Sequence, residues 1–325
     1  MDYKDCRIVF LGTPELAAEG LKVLLEQGFN VVGVVSQPDA AKGRNRTPTP
    51  SPVSRVALAH NIPLHRPERL NRDYSFVEEL HPDLLLTYAF GQILSTKVLA
   101  LSKSFAPVNI HASDLPKLRG ASPIQTSLLN GDESTAVCLM EMVKQMDAGR
   151  VFARRKVSIA PEDDCTSLTA KISQAAADLI REDLPAYIAG ALPGEPQDES
   201  QVTFCHMFQR RDEYLDPNLS PAQFVGRVRA FAQKPGAFLR LENGLQLKVY
   251  RARVGQETGE KGKIISADRG VLAVGVDGGS VELLTVQKPG KKPMGVTDFL
   301  NGTRGLTGLR VLSADEVFPA EEEKQ

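Results

Sequence analysis

Hydrophobic positions along the first half of the chain follow two alternating patterns. Residues 7–11 and 31–35 are short apolar runs with the length and composition of buried strands. Between them, Leu21 and Leu25 recur at helical spacing, and Gly28 ends the run. Strands that alternate with helices predict a parallel sheet joined by helical crossovers. We therefore expect a doubly wound, mostly parallel α/β sheet of the Rossmann-like type in this half of the chain.

Turn-forming residues mark where the predicted helices begin and end. Thr13-Pro14 is expected to cap the first helix, and Ser51-Pro52 is expected to cap another. A single Gly follows the first strand, without a G-x-G-x-x-G pattern or a Walker lysine. Dinucleotide or nucleoside triphosphate binding at this turn is therefore disfavoured. A long helix is predicted over residues 165–189, ending at Gly190.

The pattern changes to short strands after about residue 205. Residues 237–241 and 245–250 flank an Asn243-Gly244 turn, which is a preferred connection of a β-hairpin. Further apolar runs of this kind predict a small, open, OB-like β-barrel. The chain is accordingly divided into an α/β domain over residues 1–190, a linker over 191–205, a basic β-barrel over 206–314 and an acidic tail over 315–325.

The composition narrows the class of protein. A chain of 325 residues is long enough for two domains, and 42% hydrophobic with 24% charged residues is typical of a soluble globular protein. No apolar run approaches the roughly 20 residues of a membrane helix, and the amino terminus lacks a signal-peptide pattern. We expect a cytoplasmic protein that does not bind membranes. Its cysteines, Cys6, Cys138, Cys165 and Cys205, have no paired spacing, so neither disulfides nor a metal site is indicated.

Charge is distributed unevenly, although the formal net charge is only -1. Residues 206–314 hold 17 Lys and Arg against 10 Asp and Glu, a net of +7, and the residues after them are acidic. A moderately basic domain attached to an α/β domain suits a polyanionic substrate. An ordinary solvated surface is the alternative. Lys288, Lys291 and Lys292 form the densest basic cluster.

The candidate chemistry lies at the end of one predicted strand. Val108 and Ile110 alternate with Asn109 and His111, so the amide and the imidazole face the same side. An amide at such a place can donate to a developing oxyanion, and an imidazole can move a proton. Asp147 follows the next predicted strand, and we expect it to fix the tautomer of the imidazole and stabilise its protonated form. Taken singly, each of these residues is better explained by a structural role.

Together with Ser113-Asp114-Leu115-Pro116 and Arg119-Gly120, these three residues resemble the signature of the folate-dependent formyltransferases. The opening Arg7 to Pro14 and the segment Gln37 to Val53 make the match closest to the members that act on methionyl-tRNA, over roughly residues 7 to 312. The resemblance implies transfer of a formyl group from the co-substrate 10-formyltetrahydrofolate to the α-amino group of methionyl initiator tRNA, without a metal. It assigns catalysis to Asn109, His111 and Asp147.

By the same resemblance, two segments take part in folate binding. Gly91 permits close approach of the backbone, and its apolar neighbours would form a wall for a flat heteroaromatic ring. Packing beneath the sheet is an equal alternative for each of these apolar side chains. The implied folate-binding residues are Phe90, Gly91, Gln92, Ile93, Leu94, Ser113, Asp114, Leu115 and Pro116.

The loop from Gln37 to Pro52 is basic, rich in proline and too long for a simple connection. Its position at the end of a parallel strand is equally compatible with an anion clamp and with a solvated excursion. The resemblance implies that this loop enters the acceptor stem of the tRNA, with Arg44 as its main contact. The implied tRNA-binding residues are Lys42, Arg44, Arg46, Lys288, Lys291 and Lys292.

Two alternative functions remain open. Sugar-nucleotide and other small-amine N-formyltransferases carry the same Asn, His and Asp set, although they tend to lack the basic loop together with this type of barrel. A folate- or RNA-binding module without turnover is the second alternative, and the intact set of three residues argues against it. We expect the protein to be a monomer.

Overall fold

The computed structural model describes residues 1–42 and 47–319, except for the side chains of residues 41, 42 and 47. These residues form two compact units. The first unit comprises residues 1–123, 134–158 and 169–206, and the second comprises the remaining described residues. Residues 191–205, predicted as a linker, fall within the first unit.

Eleven strands of the described chain belong to the first unit, and seven of them form one sheet in the order β10-β9-β7-β6-β1-β2-β5. The five strands from β7 to β5 in this order are parallel, and β9 is antiparallel to both of its neighbours, β7 and β10, so that β10 runs in the same direction as the five. This arrangement confirms the predicted mostly parallel sheet. The strands are β1 (Ile8–Gly12), β2 (Val31–Val35), β3 (Ala40–Lys42), β4 (Thr47–Thr49), β5 (Leu64–His65), β6 (Leu84–Tyr88), β7 (Val108–His111), β8 (Arg119–Gly120), β9 (Ser134–Glu141), β10 (Val151–Ser158) and β11 (Phe204–Cys205).

The central strands explain why the sheet is parallel. All five residues of β1 and all five of β6 are buried, as expected where helices cover both faces of a sheet. The chain adds β2 and β5 on one side of β1, and then β6, β7, β9 and β10 on the other. The order of strands therefore reverses between β1 and β6. Ligands of open α/β sheets bind at the carboxyl ends of the strands beside such a reversal.

The helices between these strands begin largely where the sequence predicts. Ser51 caps α2, because its side chain accepts a hydrogen bond from the Ser54 N–H at 3.0 Å. The predicted long helix is present as α6, one turn of π-helix at Leu179–Asp183, and α7. The helices are α1 (Glu15–Glu26), α2 (Pro52–Ala59), α3 (Ser75–Glu79), α4 (Thr96–Leu99), α5 (Pro123–Asn130), α6 (Cys165–Asp178) and α7 (Leu184–Ile188).

The predicted cap at Thr13 is wrong. Pro14 is the N-cap of α1, and no side chain accepts a hydrogen bond there. The Thr13 hydroxyl donates instead to the carbonyl of Phe90 at 2.9 Å. Because Thr13 follows β1 and Phe90 follows β6, this bond ties together the two loops at the point where the strand order reverses.

The second unit is built on an antiparallel sheet in the order β12-β13-β16-β15-β14, with β17 paired to β16. Residues 308–312 hydrogen bond both to the chain around β12 and to that around β14, which are the two edges of the sheet. The sheet thus curls toward a barrel, in agreement with the predicted β class. Its elements are α8 (Pro221–Ala230), β12 (Ala237–Arg240), β13 (Gln246–Val254), β14 (Ile264–Asp268), β15 (Val271–Val276), β16 (Gly279–Gln287), β17 (Met294–Gly295), α9 (Val296–Asn301) and α10 (Ala314–Val317).

Helix α8 was not predicted, although the sequence carries its start signal. Ser220 accepts from the Gln223 N–H, and the Gln223 side chain accepts from the Ser220 N–H, which together form a capping box. Pro221 occupies the first turn, where its missing N–H is not needed. The buried side chain of Phe224 anchors the helix in the core of the second unit.

Candidate active site

Strand β7 places Asn109 and His111 on the same face of the sheet, as predicted. Val108 and Ile110, which alternate with them, are buried. Asn109 is half-buried and His111 is 6% exposed. The neighbouring strands fix this position, because Asn109 pairs with Thr87 of β6 and with Met140 of β9.

The tautomer of His111 is set by a backbone carbonyl. Nε2 of the imidazole lies 3.0 Å from the carbonyl oxygen of Leu118. A carbonyl oxygen can only accept, so Nε2 carries the proton and the neutral ring presents an unprotonated Nδ1. Our expectation that Asp147 fixes the tautomer is therefore wrong. The nitrogen that remains available to a substrate is Nδ1.

Asp147 lies beside Nδ1 and acts on it through its charge, not through a hydrogen bond. Its Oδ2 atom is 3.8 Å from Nδ1 of His111, which is beyond hydrogen-bond length. The same oxygen accepts a hydrogen bond from the backbone N–H of Gly120 at 2.8 Å. A carboxylate held in this way stabilises the imidazolium that forms when Nδ1 takes up a proton. The three predicted residues thus occur in one region of the first unit.

Gly120 meets a steric requirement at the site. Its φ is +121°, and a Cβ added there would lie 2.1 Å from the carbonyl oxygen of Cys205. This close approach arises because β8 pairs in parallel with β11. Only glycine permits the backbone to approach this closely with such a φ. The N–H that holds Asp147 is positioned by this pairing.

The side-chain amide of Asn109 is uncommitted. It makes no hydrogen bond with any other residue that the structure describes, whereas most other polar side chains of this region are paired. A half-buried amide without an internal partner is available to a ligand. It can therefore donate to an oxygen on which charge develops.

The segment after β6 divides into buried and accessible residues. Phe90 and Leu94 are 2% and 7% exposed and pack in the hydrophobic core. The amide of Gln92 is committed to neighbouring loops, accepting from Leu70 N and donating to the Pro67 carbonyl. Ile93, by contrast, is 74% exposed.

The backbone of this segment has accessible donors. The N–H groups of the exposed residues Gly91 and Ile93 donate no hydrogen bond within the part of the chain that the structure describes. Gly91 has a φ of +86°. Asn71 fixes the end of the segment through bonds to the Ile93 carbonyl and the Ser95 N–H, each 2.8 Å long.

Ser113, Asp114, Leu115 and Pro116 form the start of the loop between β7 and β8. The Ser113 hydroxyl donates to the Lys117 carbonyl at 2.6 Å, and Asp114 pairs with Arg154 at 3.0 Å. Leu115 is buried, and the Leu115–Pro116 peptide is cis. In this structure the side chains of Ser113 and Asp114 shape the loop through these bonds.

The Cys138 thiol, which lies near the site, is not a reactive group. Burial raises the pKa of the Cys138 thiol, which donates to the Ser113 carbonyl at 3.1 Å. The Cys205 thiol lies 3.5 Å from the Leu118 carbonyl. A thiol kept protonated by burial is a poor nucleophile and a poor metal ligand. In residues 1–42 and 47–319 no group of three His, Cys, Asp or Glu side chains could hold a metal ion.

Sequence reasoning missed the contribution of residues 195–205, which we call the clamp segment. Gln197 donates to the carbonyls of Asp147 and Gly149, and accepts from Arg119. The Thr203 hydroxyl accepts from the Leu118 N–H at 2.9 Å. No periodicity or motif marks these residues, because their partners lie 48 to 85 positions away.

The predicted tRNA-binding residues lie apart in the chain. Arg44, Arg46 and the side chain of Lys42 fall outside the described residues, while the flanking strands β3 and β4 pair as a hairpin. Lys291 and Lys292 are exposed, and Lys288 lies over the ring of Phe299 at 5.1 Å. Within residues 1–42 and 47–319, no carboxylate forms an ion pair with these three lysines. None of the helices that the structure describes is long and apolar enough to span a bilayer.

This fold and this site define a formyltransferase. The family model for formyl transferases matches residues 6–184, the model for the C-terminal domain of formyl transferases matches residues 209–304, and the chain belongs to this family. Its curated relatives include the methionyl-tRNA formyltransferase of Levilactobacillus brevis, 41% identical over 301 residues, which cover 91% of this chain and 95% of the relative. The methionyl-tRNA formyltransferase of Geobacter sulfurreducens is 38% identical over 313 residues, covering 96% of this chain and 98% of the relative.

Solved structures share the fold at low sequence identity. A methionyl-tRNA formyltransferase from Clostridium thermocellum aligns with a TM-score of 0.54 and 16% identity, over 78% of this chain and 95% of that one. WlaRD, a sugar 3N-formyl transferase crystallised in the presence of dTDP and 5-N-formyl-THF, aligns with a TM-score of 0.66 and 17% identity, over 88% of this chain and 99% of that one. At such identities the likeness extends to the fold alone.

Proposed function

We propose that this protein transfers the formyl group of 10-formyltetrahydrofolate to the α-amino group of methionyl initiator tRNA, giving N-formylmethionyl-tRNA. The observation that carries the proposal is the uncommitted amide of Asn109 on the same strand face as the His111 and Asp147 pair. The substrates follow from the family, because curated relatives aligned along more than nine-tenths of the chain are methionyl-tRNA formyltransferases.

The reaction requires three groups from the protein: a donor to the formyl oxygen, an acceptor for a proton, and a negative charge beside that acceptor. The site offers one residue for each. The attacking amine forms a bond to the formyl carbon, the bond from that carbon to N10 of the folate breaks, and N10 leaves as an amine that takes up one proton. Asn109 donates to the formyl oxygen as negative charge builds on it. Nδ1 of His111, unprotonated because Nε2 is bonded to Leu118, accepts the proton that the attacking amine must lose. The Asp147 carboxylate, 3.8 Å from Nδ1, places a negative charge beside the imidazolium that results.

The segment that follows β6 fits a folate ring. Its exposed N–H groups at Gly91 and Ile93 can bond the edge of a heteroaromatic ring, and the exposed Ile93 side chain offers an apolar contact. The buried Phe90 and Leu94 support the segment from beneath. The loop Ser113, Asp114, Leu115 and Pro116 is proposed as the second folate contact.

A polyanionic acceptor suits the charges of the second unit. Lys288, Lys291 and Lys292 are proposed to bind tRNA phosphates, together with Lys42, Arg44 and Arg46 of the basic loop. The barrel fold, and lysines that form no ion pair within the described chain, support this assignment. We place the protein in the cytoplasm, where charged tRNA is used, and expect it to act as a monomer.

The decisive experiment measures formyl transfer from 10-formyltetrahydrofolate to three acceptors: methionyl initiator tRNA, a nucleotide-linked amino sugar, and free methionine. We expect the tRNA to be the only efficient acceptor. Formylation of the amino sugar alone would replace the proposal with the sugar-nucleotide alternative. Binding of tRNA without any transfer would indicate a non-catalytic module.

A further inference from the structure

We propose that Gln197 is a positioning residue for formyl transfer, because its side-chain amide holds the backbone turn that presents the Asp147 carboxylate to His111. The inference rests on the proposed function of this site. Gln197 does not reach the imidazole, so its contribution is made through Asp147. It lies in the clamp segment, more than 45 residues after Asp147 in the chain.

Both polar groups of the Gln197 side chain, the amide nitrogen and the amide oxygen, form hydrogen bonds with this turn or with Arg119. Nε2 donates to the carbonyl of Asp147 at 2.7 Å and to the carbonyl of Gly149 at 2.8 Å. An amide nitrogen has two hydrogens, so both are committed. Oε1 accepts from Nε of Arg119 at 3.0 Å. One side chain therefore fixes two carbonyls of the Asp147 turn.

The turn requires such support because its backbone is strained. Asp147 has a φ of +50°, in the left-handed region that non-glycine residues rarely adopt. Conformations of this kind persist only where the surroundings enforce them. The turn also packs tightly, since a Cβ added to Gly149 would lie 2.0 Å from the Glu141 carbonyl oxygen. Loss of the Gln197 bonds would let Asp147 relax away from Nδ1.

Other contacts hold the clamp segment in place, so the position of Gln197 is itself fixed. Glu195 pairs with Val151 in an antiparallel bridge. Glu199 forms an ion pair with Arg119 at 2.8 Å, and this guanidinium is only 4% exposed. The hydrogen bond from Arg119 lowers the pKa of Glu199 below its ordinary value.

The clamp segment also positions Leu118, whose carbonyl is the hydrogen-bond partner of the imidazole. Thr203 accepts from the Leu118 N–H, and the carbonyl of Leu118 sets the tautomer of His111. The carboxylate and the imidazole are thus both positioned by one stretch of chain, through Gln197 and Thr203 respectively. A small displacement of either group changes the geometry on which proton transfer depends.

The test compares Gln197→Glu, Gln197→Leu and the control Gln201→Leu. Glu at position 197 keeps the length and the acceptor for Arg119 but loses both N–H donors and sets a carboxylate against two carbonyls. Gln201 has the same side chain in the same segment, but it is exposed and donates only to Asp198 within that segment. Steady-state kcat and KM for both substrates are measured with protein shown by its unfolding transition to be folded.

We expect kcat to fall roughly tenfold to a hundredfold in both Gln197 variants, the scale of a misplacement of about 1 Å. The KM values should stay near those of the wild type, and Gln201→Leu should behave as the wild type. A Gln197→Glu variant with unchanged kcat would overturn the inference, because Arg119 would then be the partner that matters. An equal loss in Gln201→Leu would also overturn it, by showing that any damage to the segment suffices.

Asp147→Asn separates this inference from the proposed function. Full turnover in Asp147→Asn would refute the catalytic assignment of Asp147, and the inference with it. Loss of turnover in Asp147→Asn together with full turnover in Gln197→Glu would refute only the positioning role. Loss in both, with Gln201→Leu active, is the result that the inference requires.

Discussion

At the scale of single residues, the polar side chains around β7 differ in whether they are free to bind a substrate. Asn109 makes no hydrogen bond within the described chain, and Nδ1 of His111 has no partner within hydrogen-bond length. Ser113 and Gln92, in contrast, are committed to backbone groups of neighbouring loops. Substitution of such free polar groups should therefore lower turnover and leave the stability of the fold nearly unchanged.

Substitution Asn109→Ala should lower kcat about 10²-fold to 10³-fold, the usual effect of removing one donor to a developing oxyanion. The affinity for tRNA and the free energy of unfolding should change little, because the amide has no internal partner to lose. Single-turnover kinetics and a tRNA-binding titration measure the two effects separately. Equal losses of turnover and of tRNA affinity would show that the amide binds the acceptor instead.

Substitution Gly120→Ala should destabilise the protein by more than about 1 kcal/mol, since it combines an unfavourable φ with a steric clash. The added Cβ would lie 2.1 Å from the Cys205 carbonyl oxygen. Gly131→Ala is a matched control, because Gly131 also has a positive φ, of +72°, but no heavy atom lies within 4 Å of the added Cβ. Urea unfolding of both variants isolates the effect of the clash. Equal losses of unfolding free energy would mean that β8 and β11 separate without cost.

Sequence patterns predict residues whose role is local and miss those whose role depends on distant contacts. The alternation around Ile110 correctly places Asn109 and His111 on one strand face. Asp147 could be selected because it follows the next predicted strand, whereas Gln197 carries no signal because its bonds reach across 48 to 78 residues. The tautomer of His111 was assigned to the wrong partner, since a backbone carbonyl leaves no trace in a sequence.

At the scale of elements, apolar runs predict the strands well, whereas short helices of the second unit escape the pattern. The strand Val31–Val35 coincides with its predicted run, and Ala237–Arg240 lies within the predicted run 237–241. Helix α8 was not predicted, because it lies in a part of the chain where β alternation prevails. The signal that marks it is its cap, Ser220 followed by Pro221 and Gln223. Capping residues therefore indicate helices where hydrophobic periodicity does not.

Substitution Ser220→Ala should cost about 1 kcal/mol of stability, because the Gln223 N–H loses its acceptor at the start of α8. Ser220→Gly should cost only a few tenths of a kcal/mol, since glycine is tolerated at this position. Thermal or urea unfolding of the two variants gives the comparison. A smaller loss for alanine than for glycine would contradict the assigned capping role.

At the scale of the whole molecule, charge is segregated although the net charge is close to zero. Several cations of the second unit are paired, including Lys263 with Glu260 at 2.7 Å and Arg310 with Glu316 at 2.6 Å. Lys291 and Lys292 remain exposed without such partners in the described chain. Uncompensated charges of this kind contribute most to binding a polyanion.

Binding of tRNA should weaken as salt rises, and each of Lys291→Ala and Lys292→Ala should reduce the slope of log K against log salt by about one. Lys263→Ala is the control, because its charge is already paired and its loss should change the slope little. Binding titrations at several salt concentrations provide the slopes. Wild-type binding that does not change with salt concentration would remove the electrostatic account of the barrel.

The clamp segment has a consequence for the order in which the chain acquires activity during synthesis. Asn109, His111 and Asp147 emerge from the ribosome early, but the residues that orient two of them, Gln197 and Thr203, follow much later. A nascent chain cannot assemble the complete site until residue 205 has been released. Until then the carboxylate and the imidazole lack these contacts, so formyl transfer by the nascent chain should be slower than by the finished protein.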